Sequence, residues 1–154
     1  MERLLLIYMK IDKKRPKIVG VVALIIQKNK ILCVKRLGLE GKGSLSLPGG
    51  RLEEGEDLKE GLLREIKEET GYSITLLAGR PCFSGKISYE GKPAIFYIYE
   101  ADISGGVEKI QKEEVEKLIW VSGKDYIGSL RENKFLVGVI NDLEKLMIDK
   151  GLYE

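Results

Sequence analysis

A chain of 154 residues with 44% apolar and 32% charged side chains is sized for one domain, and a net charge of +2 excludes a polyelectrolyte that works by charge alone. Histidine is absent, which rules out histidine-based triads, and two cysteines, Cys33 and Cys82, cannot make an ordinary zinc site. No apolar run approaches the ~18 residues that span a bilayer, and Leu4–Ile7, followed by Lys10, Asp12, Lys13, Lys14 and Arg15, is too short for a signal segment, so a cytoplasmic protein is the expectation.

No repeat or linker divides the chain, so residues 1–154 read as a single domain. The run Ile18–Ile26 is apolar and β-branched, which predicts a buried strand; Asn29 marks a turn, and Ile31–Val34 pairs back as a second strand. Cys33 and Cys82 both sit in apolar surroundings and read as reduced core residues. Gly38 to Gly50 holds five glycines and one proline, a long ordered loop of the kind that usually carries function. From Asp57 to Thr70 the period becomes helical, with Leu58, Leu62 and Ile66 four apart, Asp57 and Glu60 as a capping box and Gly71 as the stop. Strands are predicted at Ser73–Leu77, Gly85–Tyr89 and Ala94–Ala101, with Glu90–Pro93 as a turn, and a short one at Trp120–Val121. Phe135, Leu136, Val139, Ile140, Leu143, Leu146 and Met147 predict a C-terminal amphipathic helix. This order indicates a mixed α/β (α+β) domain, not a doubly wound parallel sheet.

The chemistry concentrates between Glu53 and Glu69, where eight acidic residues face only Lys59, Arg64 and Lys67, a local charge of −5. At ~100° per residue, Glu65, Glu68 and Glu69 project within one arc, and Glu69 lies beside the apolar stripe, where an unpaired carboxylate is costly. A divalent cation would relieve that crowding; oxygen donors without His or Cys select magnesium, or manganese, over zinc. A plainer alternative is a surface ladder of Glu60, Arg64 and Glu68 at i, i+4, i+8. Against it stands the Pro48-Gly49-Gly50 turn just upstream, which can bring bare backbone groups close to a metal or phosphate.

Gly50, five residues, Glu56, seven residues and then Arg64-Glu65-Ile66-Lys67-Glu68-Glu69-Thr70-Gly71-Tyr72 resembles the 23-residue signature box of the Nudix hydrolases. Every required glycine, glutamate and arginine matches; Tyr72 replaces the usual aliphatic residue, and Leu45 stands where many members carry Trp. The resemblance implies an α/β/α sandwich with a mixed sheet and a loop–helix–loop catalytic motif. It also implies metal binding by Glu65, Glu68, Glu69 and the Gly49 carbonyl, with Arg64 paired to Glu56 or to a ligand glutamate. An additional acidic ligand or base is expected from a later loop, with Glu114, or its neighbour Glu113, in that place.

The implied reaction is metal-assisted hydrolysis of a nucleoside diphosphate linked to a moiety X, with Glu65 as first-choice base and Glu114 as second. Lys35, Arg36 and Gly50 are expected to bind the substrate. The preferred substrate is a nucleoside triphosphate, cleaved to monophosphate and pyrophosphate. Tyr89, seventeen residues beyond the box, hints instead at a dinucleoside polyphosphate hydrolase, whereas Ile87 and Ser88 occupy the region where ADP-ribose hydrolases carry proline. The basic segment Lys10–Lys17 raises an RNA 5′-pyrophosphohydrolase as an alternative, but near-neutral charge argues against a nucleic-acid partner. A non-catalytic nucleotide-binding module is disfavoured because no ligand glutamate is missing. Leu4–Ile7 and the outer face of the C-terminal helix are the candidate homodimer contacts.

Overall fold

Strand β1 (Ile18–Gln27) and strand β2 (Lys30–Arg36) form a tight hairpin, Gln27 opposite Lys30. Its two turn residues, Lys28 and Asn29, hold φ of 50° and 62°, the positive values a type I′ turn requires. The computed structural model describes residues 18–37 and 43–154. Leu4–Ile7, the basic segment Lys10–Lys17 and the loop positions 38–42 lie outside the described residues.

After the hairpin come β3 (Leu45–Ser46), β4 (Gly49–Arg51), helix α1 (Leu58–Thr70), β5 (Tyr72–Leu76), β6 (Phe83–Tyr89), β7 (Lys92–Gly106) and β8 (Val115–Val121). Helix α2 (Gly123–Glu132), a 3₁₀ turn (Val137–Val139) and helix α3 (Ile140–Asp149) complete the chain. β1 runs parallel to β7, Ile18–Ile25 against Ala94–Ala101, and the remaining pairs are antiparallel, so the eight-stranded sheet is mixed.

The period-2 alternation of strands directs β1 to both faces at once. Val21, Ala23 and Ile25 pack against Leu62 and Ile66 of α1, while Leu24 packs against Ile127 and Leu130 of α2 and Leu143 and Met147 of α3. Two covered faces explain why β1 reads as a continuous apolar run. The architecture is the expected α/β/α sandwich. No helix among the described residues is long and apolar enough to cross a membrane.

Some segments depart from expectation. Helix α2 is absent from the sequence expectation because Gly123 and Gly128 lower its propensity. Its buried face, Tyr126, Ile127 and Leu130, is too short a stripe to stand out. The C-terminal helix begins at Ile140 and not at Phe135, since Leu136 adopts φ 54° and Phe135 stays at the surface. β7 continues past Ala101 to Gly106 because β5 pairs with that extension, and Lys92 and Pro93 belong to the strand and not to the turn. Cys33 is a core residue whose thiol is pushed far up by burial, but Cys82 is exposed at the entry to β6.

Candidate active site

Helix α1 starts where the Asp57 carboxylate accepts from the Lys59 and Glu60 amides at 3.1 and 3.2 Å, and it stops at Gly71, φ 83°. Its apolar face, with Leu62 and Ile66 fully buried, carries Glu69 down with it to 3% exposure. A carboxylate in that position needs partners. Oε1 of Glu69 accepts the Gly49 amide at 3.0 Å, and Oε2 accepts Arg36 Nη1 at 2.8 Å. Arg36 is itself aimed by donating from Nε to Ser46 Oγ at 2.9 Å. Desolvation outweighs these contacts and raises the Glu69 pKa, with the Arg36 charge acting in the opposite direction.

The Gly49–Gly50 turn is seated on these carboxylates. Gly49 holds φ 147°, and a Cβ there would run into the Val21 carbonyl and Val22 Cα, so only glycine lets β4 pair with β1 while its amide reaches Glu69. A Cβ on Gly50 would fall on the Glu65 carboxylate. Glu65 is thus packed against bare backbone, and its pKa is raised, chiefly by desolvation.

Arg64 organises the outer side of the cluster. Its guanidinium holds Glu56 with two bonds, Nε to Oε2 at 2.7 Å and Nη2 to Oε1 at 2.8 Å, and Nη1 reaches Glu65 Oε1 at 3.0 Å and Glu68 Oε2 at 3.1 Å. The Arg64 hydrogen bond, helped by the Glu53 amide, holds the Glu56 carboxyl down at about 2.

This arrangement revises the reason for expecting a metal. Carboxylate crowding does not by itself demand a dication, because Arg64 and Arg36 already place two positive charges among the glutamates. Among the described residues, no three acidic or thiol side chains converge as a ready-made cage. The donor set nevertheless suits a hard cation: Glu65 and Glu68 each give one oxygen to Arg64 and keep the other, and all donors are oxygens. Glu68 is 53% exposed at its side chain and has room to turn toward an ion.

The other sequence-predicted residues divide. Arg36, the last residue of β2, enters the site as the partner of Glu69. Lys35 pairs at 3.5 Å with Glu116 and with none of the helix glutamates. The Glu114 carbonyl accepts the Leu37 amide at 2.9 Å, one residue from Arg36, and Glu113 shares with Glu68 the wall of a cleft of about 760 Å³. Tyr89 is 48% exposed at the tip of the β6–β7 hairpin, opposite Lys92. Tyr97, in register with the Val21 that pairs with Gly50, lies five residues further along β7, about 17 Å at strand rise. Ser46 and the Arg36–Glu69 pair went unrecognised in the sequence, since their only signal is a hydroxyl and a cation scattered along a loop and a strand end.

The NUDIX domain family model matches residues 14–141, a span that includes the Gly49–Gly50 turn and helix α1. The chain belongs to the NUDIX domain family. A stretch of 53 residues is 51% identical to an ADP-ribose pyrophosphatase of Methanocaldococcus jannaschii, covering 34% of this chain and 31% of that protein. Over 104 residues the chain is 34% identical to a putative 8-oxo-dGTP diphosphatase of Bacillus subtilis, covering 66% of this chain and 63% of the relative. The chain thus spans less than two thirds of either relative. A MutT protein structure from Methanosarcina mazei superposes with a TM-score of 0.68 at 23% identity, over 91% of this chain and 99% of that one, which establishes the shared NUDIX fold.

Proposed function

We propose that this NUDIX domain is a divalent-metal-dependent hydrolase that cuts a phosphoanhydride bond in a nucleoside diphosphate linked to X, with a nucleoside triphosphate as the preferred substrate. The observation that carries this reading is the seating of Gly49 and Gly50 on the Glu69 and Glu65 carboxylates. That places bare backbone, three glutamates and two arginines in one patch, an arrangement suited to multiply charged phosphates.

Glu65 and Glu68, with Glu69 and the Gly49 carbonyl behind them, would hold the ion, joined by Glu114 or by Glu113, which lines one cleft with Glu68. Magnesium or manganese, when bound, supplies charge neutralisation at the phosphates and a more acidic water. Glu65 is the base we favour: its carboxylate lies against the bare Gly50 backbone, and burial raises its pKa while Arg64 opposes the rise. It takes the proton from the attacking water as that oxygen bonds to phosphorus and the bridging P–O bond breaks. The leaving phosphate departs with the bridging electron pair. Arg64 keeps Glu65 and Glu68 oriented, and Arg36 fixes Glu69. A cytoplasmic site of action suits a nucleotide substrate and free Cys33 and Cys82.

The relative named for 8-oxo-dGTP supports a triphosphate; the stretch shared with the Methanocaldococcus jannaschii ADP-ribose pyrophosphatase supports a second reading in which X is a sugar. The Tyr89 argument for dinucleoside polyphosphates draws no support from a hairpin tip so far along β7. A panel with magnesium decides: canonical and oxidised nucleoside triphosphates, diadenosine polyphosphates, ADP-ribose and triphosphorylated RNA. Pyrophosphate release fastest from a triphosphate is the expected outcome, and faster turnover of ADP-ribose would replace this reading with the second.

A further inference from the structure

Beyond Glu68, the last turn of α1 and the loop 107–114 enclose the cleft of about 760 Å³, with Lys67, Glu68, Glu108, Lys109, Lys112 and Glu113 in its wall. The loop is tied to the carboxylate helix itself. The Lys109 amide donates to the Thr70 carbonyl at 2.8 Å, the Gln111 amide to the Glu69 carbonyl at 3.3 Å, and the Leu37 amide to the Glu114 carbonyl at 2.9 Å. The cleft therefore keeps a set position relative to Glu68 and Glu69.

The cations in the wall are not equivalent. Lys67 is spent on the helix end, its Nζ donating to the Gly71 carbonyl at 3.0 Å. Arg36 and Arg64, nearer the reacting centre, are spent on glutamates. Lys109 and Lys112 have no side-chain hydrogen bond or ion pair among the described residues, although Glu108 and Glu113 share the wall with them. Two uncommitted ammonium groups in an open cleft that Glu68 of the carboxylate cluster also lines can offer positive charge to an anion there.

We propose that this cleft binds the phosphate tail that leaves, with Lys109 and Lys112 as its ligands, so that X in the substrate is phosphate and not a sugar. The inference rests on the hydrolase reading above and narrows its substrate class. A sugar-bearing X would have no use for these lysines, which would then pair only with Glu108 and Glu113.

The test titrates inorganic pyrophosphate with magnesium into the full chain by calorimetry, comparing the wild type, the double variant Lys109→Gln/Lys112→Gln and Lys124→Gln from α2 as a surface control. Loss of two charge-assisted contacts weakens pyrophosphate binding at least tenfold, with Lys124→Gln unchanged. In kinetics the double variant raises KM for a triphosphate by a similar factor with kcat nearly constant, and leaves KM for a nucleoside diphosphate sugar where it was. Equal pyrophosphate affinity in wild type and double variant, no binding by the wild type, or an equal KM rise on both substrates would overturn the proposal. Lysine-dependent pyrophosphate binding in a protein that hydrolyses no nucleotide would keep the anion site and remove the hydrolase reading.

Discussion

Gly50→Ala separates chemistry from folding more cleanly than any change to a glutamate. Gly50 pairs with Val21 in β4 and is not among the glycines with positive φ, so alanine is acceptable to the backbone. The added Cβ would fall on the Glu65 carboxylate, which must retreat by about 1 Å to reach ordinary contact distance. The obstacle is the end of a flexible side chain, so the fold loses only the cost of a displaced rotamer, about 1 kcal/mol, partly offset by the smaller entropy of the unfolded chain. The same shift strains the 3.0 Å bond from Arg64 and moves the proposed base. A 1 Å misplacement of a reacting group costs roughly 100-fold in rate, or about 2.7 kcal/mol of transition-state stabilisation. Pyrophosphate release under subsaturating substrate gives kcat/KM, and a thermal melt gives stability. Wild-type kcat/KM in a folded Gly50→Ala protein would refute the placement of Glu65 at the reacting centre. Gly49→Ala is the contrasting case: its Cβ meets the Val21 carbonyl and Val22 Cα at φ 147°, where nothing flexible can yield. About 3 kcal/mol of stability should be lost, along with activity.

Arg36→Gln leaves the buried Glu69 carboxylate with the Gly49 amide alone and should cost about 2 kcal/mol at pH 8 in urea unfolding, discounted because Arg36 is 27% exposed. Glu69 already has a raised folded pKa, so its contribution is fully present below the ordinary 4.5 and is lost as pH rises through the folded value. The Arg36→Gln deficit should therefore shrink as pH falls toward 4.5, and a pH-independent deficit would show that charge is not its cause. Glu56 has the opposite sign: held at about 2, it contributes stability above 4.5 that disappears as pH falls toward 2, so Glu56→Gln should flatten that acid limb in denaturant titrations. Glu68→Gln and Glu69→Gln should both reduce turnover sharply, but only Glu69→Gln should lower the melting temperature, because Glu68 is exposed and Glu69 is buried between Gly49 and Arg36. Chelation of divalent ions should abolish turnover and magnesium restore it; retained activity in chelator would exclude the metal role.

The local features were legible because they are written in neighbouring residues. The 3.6-residue period of Leu58, Leu62 and Ile66, the Asp57 cap and the Gly71 stop specify α1, and they also place Glu69 on its buried side. The apolar run of β1 and the turn at Asn29 specify the hairpin. Helix α2 escaped because two glycines mask a short stripe whose burial depends on α3 and the sheet. What only the tertiary structure decided is who partners whom across the chain. Arg36 meets Glu69 thirty-three positions away. The loop 107–114 docks on the end of α1 and brings Glu113 into one cleft with Glu68, and Tyr89 sits at a hairpin tip. Spacing along a helix is set by covalent geometry and can be counted in a sequence. The neutralisation of a buried charge depends on whichever cation the sheet register brings within reach, and register is a property of the assembled fold.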